Sequence, residues 1–418
     1  MKGLQKIKAS ALQFAILVSV IIAILLASFL ALTHTHRLFG MQSELLLNTI
    51  DASQEGIDFS LNPNNQIGDS LDLTDENLST IIKKDAWGGF LKIESTSQSK
   101  TKSFSKIGLI GQNTEAVRTA LQVTETQLPL VLVGDTKIEG NAFVSNKGIK
   151  AGVISGKYFN GDTLIEGDIK ITNGQLPKLD KSWRKRTQRL LKNFIVDDSQ
   201  LIGIEAEIKN SFFNPNKVIF ENGGLVLDQT FVGNIIIKSN TEIIVTKFAE
   251  LTDVLLIAPK ITVQKGFRGN AHFLASKTIM IEEETTFLYP SSLVLVDINK
   301  DFITPILRGE EPIYISEKVN FSGVIIYFPE ENPEQHSQTS ISLQPETEIV
   351  GSIYCQGNME LSGRVKGAIF VERFLVNEFG SRYINHIYNG KILSKQLPKE
   401  FCGLPFSEKK KGVVQWLY

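Results

Sequence analysis

The stretch that decides the fold is residues 225–281, LVLDQTFVGNIIIKSNTEIIVTKFAELTDVLLIAPKITVQKGFRGNAHFLASKTIMI. Within it Leu225-Val226-Leu227, Ile243-Ile244-Val245, Ile261-Thr262-Val263 and Ile279-Met280-Ile281 follow one another at an interval of 18 residues. A fixed interval of this size is the mark of a chain that winds, with each winding stacked on the last. The first and third residues of each triplet share one side of a strand, so they form an inward β-branched or leucine column. A second series, Ile235-Ile236-Ile237, Val254-Leu255-Leu256 and the segment around Phe273, runs in phase with the first.

Working outward, short strand-like runs begin near Leu130 and are separated by Gly, Asn or Asp, with no amphipathic helices between them. This spacing excludes βαβ units and predicts a mainly β chain, a right-handed parallel β-solenoid. The rhythm returns at Gly323-Val-Ile-Ile-Tyr, Gly351-Ser-Ile-Tyr-Cys and Gly367-Ala-Ile-Phe-Val. Each Gly is placed at a corner before a strand, where positive φ or a close backbone approach is needed. Cys355 takes the slot of Val371 and reads as a small buried hydrophobe, not as half of a disulfide with Cys402.

Ala11–Leu32 holds 22 residues without a charge. As a helix it spans roughly 33 Å, enough for a bilayer core. Lys2, Lys6 and Lys8 precede it and Arg37 follows, so the charge bias places the N-terminus in the cytoplasm and the main domain in the periplasm or outside the cell. The lipid bilayer is thus the first expected partner, at the inner (plasma) membrane of a bacterium. The apolar helical spacing continues through Leu38, Met41, Leu45, Leu46 and Ile50 to about Gly56. Strands are expected at 88–93 and 103–110. The expected organisation is a cytoplasmic stub and anchor at 1–40, and a small α+β juxtamembrane region at 41–128. A solenoid at 129–393 and a C-terminal tail or cap at 394–418 complete it. Two interruptions break the solenoid: a basic helical insertion at 176–195 and a polar loop at 329–345.

Forty-four basic and 45 acidic residues give a formal net charge of −1, which gives no global pull toward nucleic acid. The insertion is the local exception. Lys181, Arg184, Lys185, Arg186, Arg189 and Lys192 lie on it and form a candidate surface for an anionic partner. The plain alternative is a solvated face held to the coil by Trp183. The middle residues Val226, Ile244 and Met280 of the triplets point outward and make a candidate packing or assembly face.

No phosphate loop, dinucleotide fingerprint or zinc spacing is present, and no cofactor or metal is expected. His34 and His36 face apart on a helix. Candidate groups for acid–base chemistry on a polysaccharide are Asp197, Asp198, Asp253, Glu282, Glu283, Glu284, Arg268 and His272. Asp197-Asp198 resembles the paired aspartates of polygalacturonase-like hydrolases, but the accompanying His-Gly element is missing. The expectation is therefore a non-catalytic protein, with a β-helix polysaccharide lyase or hydrolase as an alternative.

Residues 347–376, TEIVGSIYCQGNMELSGRVKGAIFVERFLV, resemble the bactofilin repeat, as does 137–174. That resemblance implies a β-helix able to polymerise end to end; the basic insertion and the external location depart from it. The N-terminus is similar to type IV pilin-like proteins, with a basic leader, a long apolar helix and then a small sheet. It lacks their Phe-Thr-Leu-Ile-Glu stretch, and Gly3 is poorly placed for processing. These features imply a membrane-anchored structural or scaffold protein presenting surfaces for adhesion, self-association or envelope assembly. The second implied role is a minor pilin or pseudopilin subunit of a pilus or secretion apparatus.

Overall fold

The computed structural model describes residues 6–65, 68, 70–75, 78–113, 119–298, 311–330, 338–378 and 380–418. Gly3 and residues 331–337 of the expected loop lie outside the described residues. The protein is mainly β with one long N-terminal helix.

That helix, α1 (Lys6–Leu61), is unbroken for 56 residues. At 1.5 Å per residue it is roughly 84 Å long. Its stretch from Ala11 is long and apolar enough to cross a membrane. The helix passes Gly56, where a stop is expected, because the missing side chain lets the backbone lie against Ser95; a Cβ there would sit 2.2 Å from Ser95 Oγ. Asn62-Pro63 ends it, as the residue before proline avoids the helical region.

The last turns of α1 pack on an antiparallel sheet. In chain order its strands are β1 (Ser70–Asp75), β2 (Leu78–Trp87), β3 (Phe90–Ser99), β4 (Lys102–Gln112) and β5 (Lys411–Leu417). Ile57 is fully buried there, Ser53 Oγ donates to Ser95 O, and Lys106 Nζ donates to Gln54 Oε1 at 2.6 Å. β5 belongs to residues expected as a tail or cap. Instead it pairs with β4, Lys411 opposite Gln112 and Leu417 opposite Ile107. The edge of β4 would otherwise stand open, and β5 satisfies it.

Apart from two short antiparallel pairs, 153–154 with 157–158 and 375–378 with 381–384, the remaining strands form parallel ladders around one apolar interior. The expected column is present: Leu225 lies in register with Ile243, then Ile261, Ile279, Ile313, Ile341 and Met359. On a second ladder Ile219, Ile237, Leu256, Phe273, Leu293, Ile325, Ile353 and Ile369 are stacked in turn. On a third, Phe287 stacks between Phe267 and Phe321 with ring centroids 5.4 Å apart on each side. The corner glycines lie where strands come closest: a Cβ on Gly367 would be 1.7 Å from Gly351 O. Cys355 faces inward beside Val371, and both cysteines are buried thiols outside any disulfide.

The order of the ladders departs from the linear expectation. Ile369 is followed in space by Leu121, then Ala142, then Ile169. Residues 119–171 therefore extend the ladder beyond the windings made last. The chain enters in mid-stack at 119, runs to one end, and returns over the outside through α2 (Lys181–Lys192). From the opposite end it winds back to its starting point. Residues 119–123, expected in the juxtamembrane region, belong to the ladders for the same reason.

Candidate functional site

The outer side of the second ladder carries Val218, Ile236, Leu255, Val294, Val324 and Ile326, all buried. The antiparallel sheet and α2 both dock on this face. A two-residue Gly88-Gly89 hairpin joins β2 to β3, with Trp87 opposite Phe90 and Gly88 at φ +55°. Its tip presses into the ladder, where Gly89 N–H donates to Ser292 Oγ at 2.8 Å and His272 Nδ1 is 3.0 Å from the same oxygen. His272 is fully buried with its ring edge-on to Phe90, and burial pushes its pKa down to about 3.

The basic helix is capped by Asp180, whose Oδ1 accepts from the backbone of Ser182 and Trp183. Lys84 from β2 lies 2.7 Å from Asp180 Oδ2, and Lys411 from β5 lies 3.7 Å from it. Burial alone would raise the Asp180 carboxyl. Lys84 and the hydrogen bonds from Ser182 and Trp183 outweigh it and hold the group at about 2. Trp183 is fully buried, donates from Nε1 to Gly88 O and packs on Phe328.

This anchoring divides the six cations proposed from sequence. Arg184 donates to Pro329 O and covers the Phe328 ring, Arg186 pairs with Asp85 at 3.0 Å, and Lys192 pairs with Glu330. Lys181, Lys185 and Arg189 stay exposed at successive i, i+4 positions, one stripe on the solvent side.

The outward row is not covered by the sheet, which sits on a different ladder. Val226 is 57% exposed, and Ile244 and Met280 are half-buried in register with it. The candidate acid–base groups are not brought together. Asp197 caps the short turn Asp198–Gln200, Glu283 and Glu284 share Lys265 at a corner, and His272 is sealed inside. Arg268 and Glu282 lie at exposed or half-exposed ladder positions. Asp253 accepts from Asn270 and Gln415, with burial raising its carboxyl. Among the described residues no group of three or more His, Cys, Asp or Glu is arranged to hold a metal.

Sequence reasoning missed a cleft beside α2. One compartment, 730 Å³, lies between the ladder corners and β5, lined by Phe212, Asp253, Gln415, Trp416 and Tyr418. A second, 370 Å³, lies under residues 193–196 and is lined by Trp87, Lys92 and Arg189 with Asp85. Gln200 and Asn216 line both and are bonded to each other at 2.8 Å. These residues come from segments up to 333 positions apart (Asp85 to Tyr418), and no local motif marks them.

No protein-family model matches the chain, and no curated protein matches it. Among solved structures, the chain is similar to the competence-associated pilin ComZ from Thermus thermophilus. The two are 10% identical over 89% of this chain and 97% of that one, with a TM-score of 0.20, which does not amount to a shared fold.

Proposed function

We propose that this protein is a non-catalytic, membrane-anchored assembly subunit, pilin-like in plan, whose parallel ladders form a right-handed β-solenoid carried outside the bacterial plasma membrane. The observation that carries this reading is the continuity of α1. One helix runs from a fully exposed apolar span into the core of the antiparallel sheet. That sheet in turn is fused to the ladders by a shared apolar cluster. Load applied at the ladders reaches the lipid anchor through hydrogen-bonded or close-packed elements at every step.

Assembly is favoured over an isolated scaffold by the part of α1 beyond the apolar span. Leu38, Phe39, Met41, Leu46 and Leu47 remain exposed, Phe39 at 71%, on a segment clear of the expected bilayer core. A helix that leaves such residues in water gains by packing against the same helix of another copy. The non-catalytic assignment is supported by the dispersal of Asp197, Asp198, Asp253 and Glu282–Glu284, each tied to a structural task or to solvent.

The test is Phe39→Cys in the full-length protein in its native membrane. Cys355 and Cys402 are buried, so a crosslinker reports position 39. A covalent dimer at native expression supports the reading; a monomer under conditions that crosslink a control dimer overturns it.

A further inference from the structure

The 370 Å³ compartment under residues 193–196 is used by neither anchoring nor assembly, and its walls differ in chemistry with the element that supplies them. The floor is the outer side of the second ladder, where Val218, Ile236 and Leu255 present branched aliphatic groups. The roof is the end of α2 and the segment after it, with Leu190, Phe194 and Val196 packed into the same apolar cluster. Lys238 holds that roof in place. Its Nζ donates to Leu190 O at 3.0 Å, which satisfies a carbonyl at the helix C-terminus, and lies 4.5 Å from the centre of the Phe194 ring.

The remaining wall, the β2–β3 hairpin, is charged. Asp85 and Lys92 lie opposite each other across the strand pair, and Asp85 is engaged by Arg186 of α2 at 3.0 Å. Lys92 has its Nζ 4.9 Å from the centre of the Trp87 ring, a weaker partner than a carboxylate. Arg189, one helical turn beyond Arg186, lines the same compartment from an exposed position. Among the described residues neither Lys92 nor Arg189 makes an ion pair. Burial pulls the Lys92 ammonium below its ordinary pKa, outweighing the fields of Asp85 and Glu94. An anion entering the compartment would stabilise it, since low local polarity strengthens the attraction. The two kinds of wall select the shape of that anion. Aliphatic floor and roof favour a hydrocarbon body and would leave the hydroxyls of a sugar unpaired. One inward ammonium matches a single negative charge, whereas a dianion would lose its hydration without a second deep partner. The volume stands near the low end of the range for small-molecule sites, roughly 300–1,000 Å³, so the body is short.

We propose that this compartment binds a medium-chain fatty carboxylate. The alkyl chain lies on Val218, Ile236 and Leu255, the carboxylate meets Lys92, and Arg189 at the mouth adds to the attraction. Every residue named lines one compartment within one copy of the chain, so the site stands whether or not the protein assembles.

The experiment uses the full-length protein in lipid nanodiscs, photolabelled with decanoate carrying a diazirine near the end of its chain, with the labelled peptides mapped. Labelling of the apolar span of α1 reports probe dissolved in lipid and serves as the internal control. The expected result is a second labelled region around 190–196, Val218, Ile236 or Leu255. Unlabelled decanoate should compete there with a half-effect below about 1 mM. Decanol, which lacks the charge, and inorganic phosphate, which lacks the body, should each compete at least about tenfold more weakly. Lys92→Met keeps the apolar stem and removes the ammonium; it should weaken decanoate about tenfold with no loss in melting temperature. Arg189→Gln, at an exposed position, should weaken it about threefold and keeps the test decisive if Lys92→Met does not fold. Labelling confined to α1 overturns the proposal, as does the absence of saturable competition up to about 10 mM. Equal competition by decanol or by phosphate overturns the carboxylate assignment, and so does wild-type affinity in folded Lys92→Met or in Arg189→Gln.

Discussion

Replacing His272 with glutamine should remove an acid sensitivity that is built into the junction between sheet and ladders. His272 is fully buried, and its pKa is pushed from 6.5 down to about 3 by burial. Between those two values the unfolded chain holds a proton that the folded protein does not. Stability therefore rises with pH across this window and is lost as pH falls below 6.5. The limiting slope is about 1.4 kcal/mol per pH unit. Going from pH 7.5 to 5.0 costs the wild type about 2 kcal/mol from this group alone. Other buried carboxyls titrate too. Asp180, held at about 2, contributes stability that is lost only as pH falls from its ordinary value toward 2. Asp253 and Glu372, raised by burial, act in the opposite direction. These contributions are common to wild type and variant, so the difference between the two proteins isolates His272. Denaturant unfolding of both at pH 7.5 and 5.0 is the assay. The wild type should lose about 2 kcal/mol relative to His272→Gln on acidification. A gap that stays constant within about 0.5 kcal/mol would show that His272 is hydrated or protonated in the native protein, and the reasoning would fail.

Three further outcomes are expected. Gly367→Ala places a methyl 1.7 Å from Gly351 O, so the ladder must separate there; a loss of about 3 kcal/mol or more should appear in thermal unfolding. Asp180→Asn leaves Lys84 and Lys411 buried around an uncharged amide and should cost about 3–5 kcal/mol in denaturant unfolding. Trp183→Ala empties the contact between α2 and Phe328 and breaks the bond to Gly88 O; a loss of about 3–5 kcal/mol, with faster proteolysis around 176–195, is the expected readout.

The inward columns were legible because the loops between windings 225–281 have constant length, so residue spacing translates directly into stacking. Where the loops lengthen, between Ile281 and Ile313, the interval is lost although the column continues unbroken. β2 escaped notice for an electrostatic reason. Its buried side alternates Ile82, Lys84, Ala86, and the inward lysine is tolerated only because Asp180 from a helix 96 residues later neutralises it. β5 looks like a tail because its partner, β4, is some 300 residues away. The spatial order of windings was illegible for a different reason: residues 119–171 carry the same glycine-and-aliphatic rhythm as 323–371, and a repeat does not encode which copy lies beside which. The six cations of α2 were visible as a group, but their division into three tethered and three free depends on Asp85, Pro329 and Glu330, none adjacent in sequence.

The mid-stack point of insertion has a consequence for biosynthesis. Val123 emerges early from the ribosome, but the strand that covers its ladder, around Val371, follows some 250 residues later. At about 5–20 residues per second this delay is roughly 10–50 s. Throughout that time the nascent windings 119–171 expose a bare parallel edge, and β4 awaits the seven-residue β5. Neither half of the molecule is closed until residues 364–417 have been made, and until then those edges are open to pairing with a neighbour.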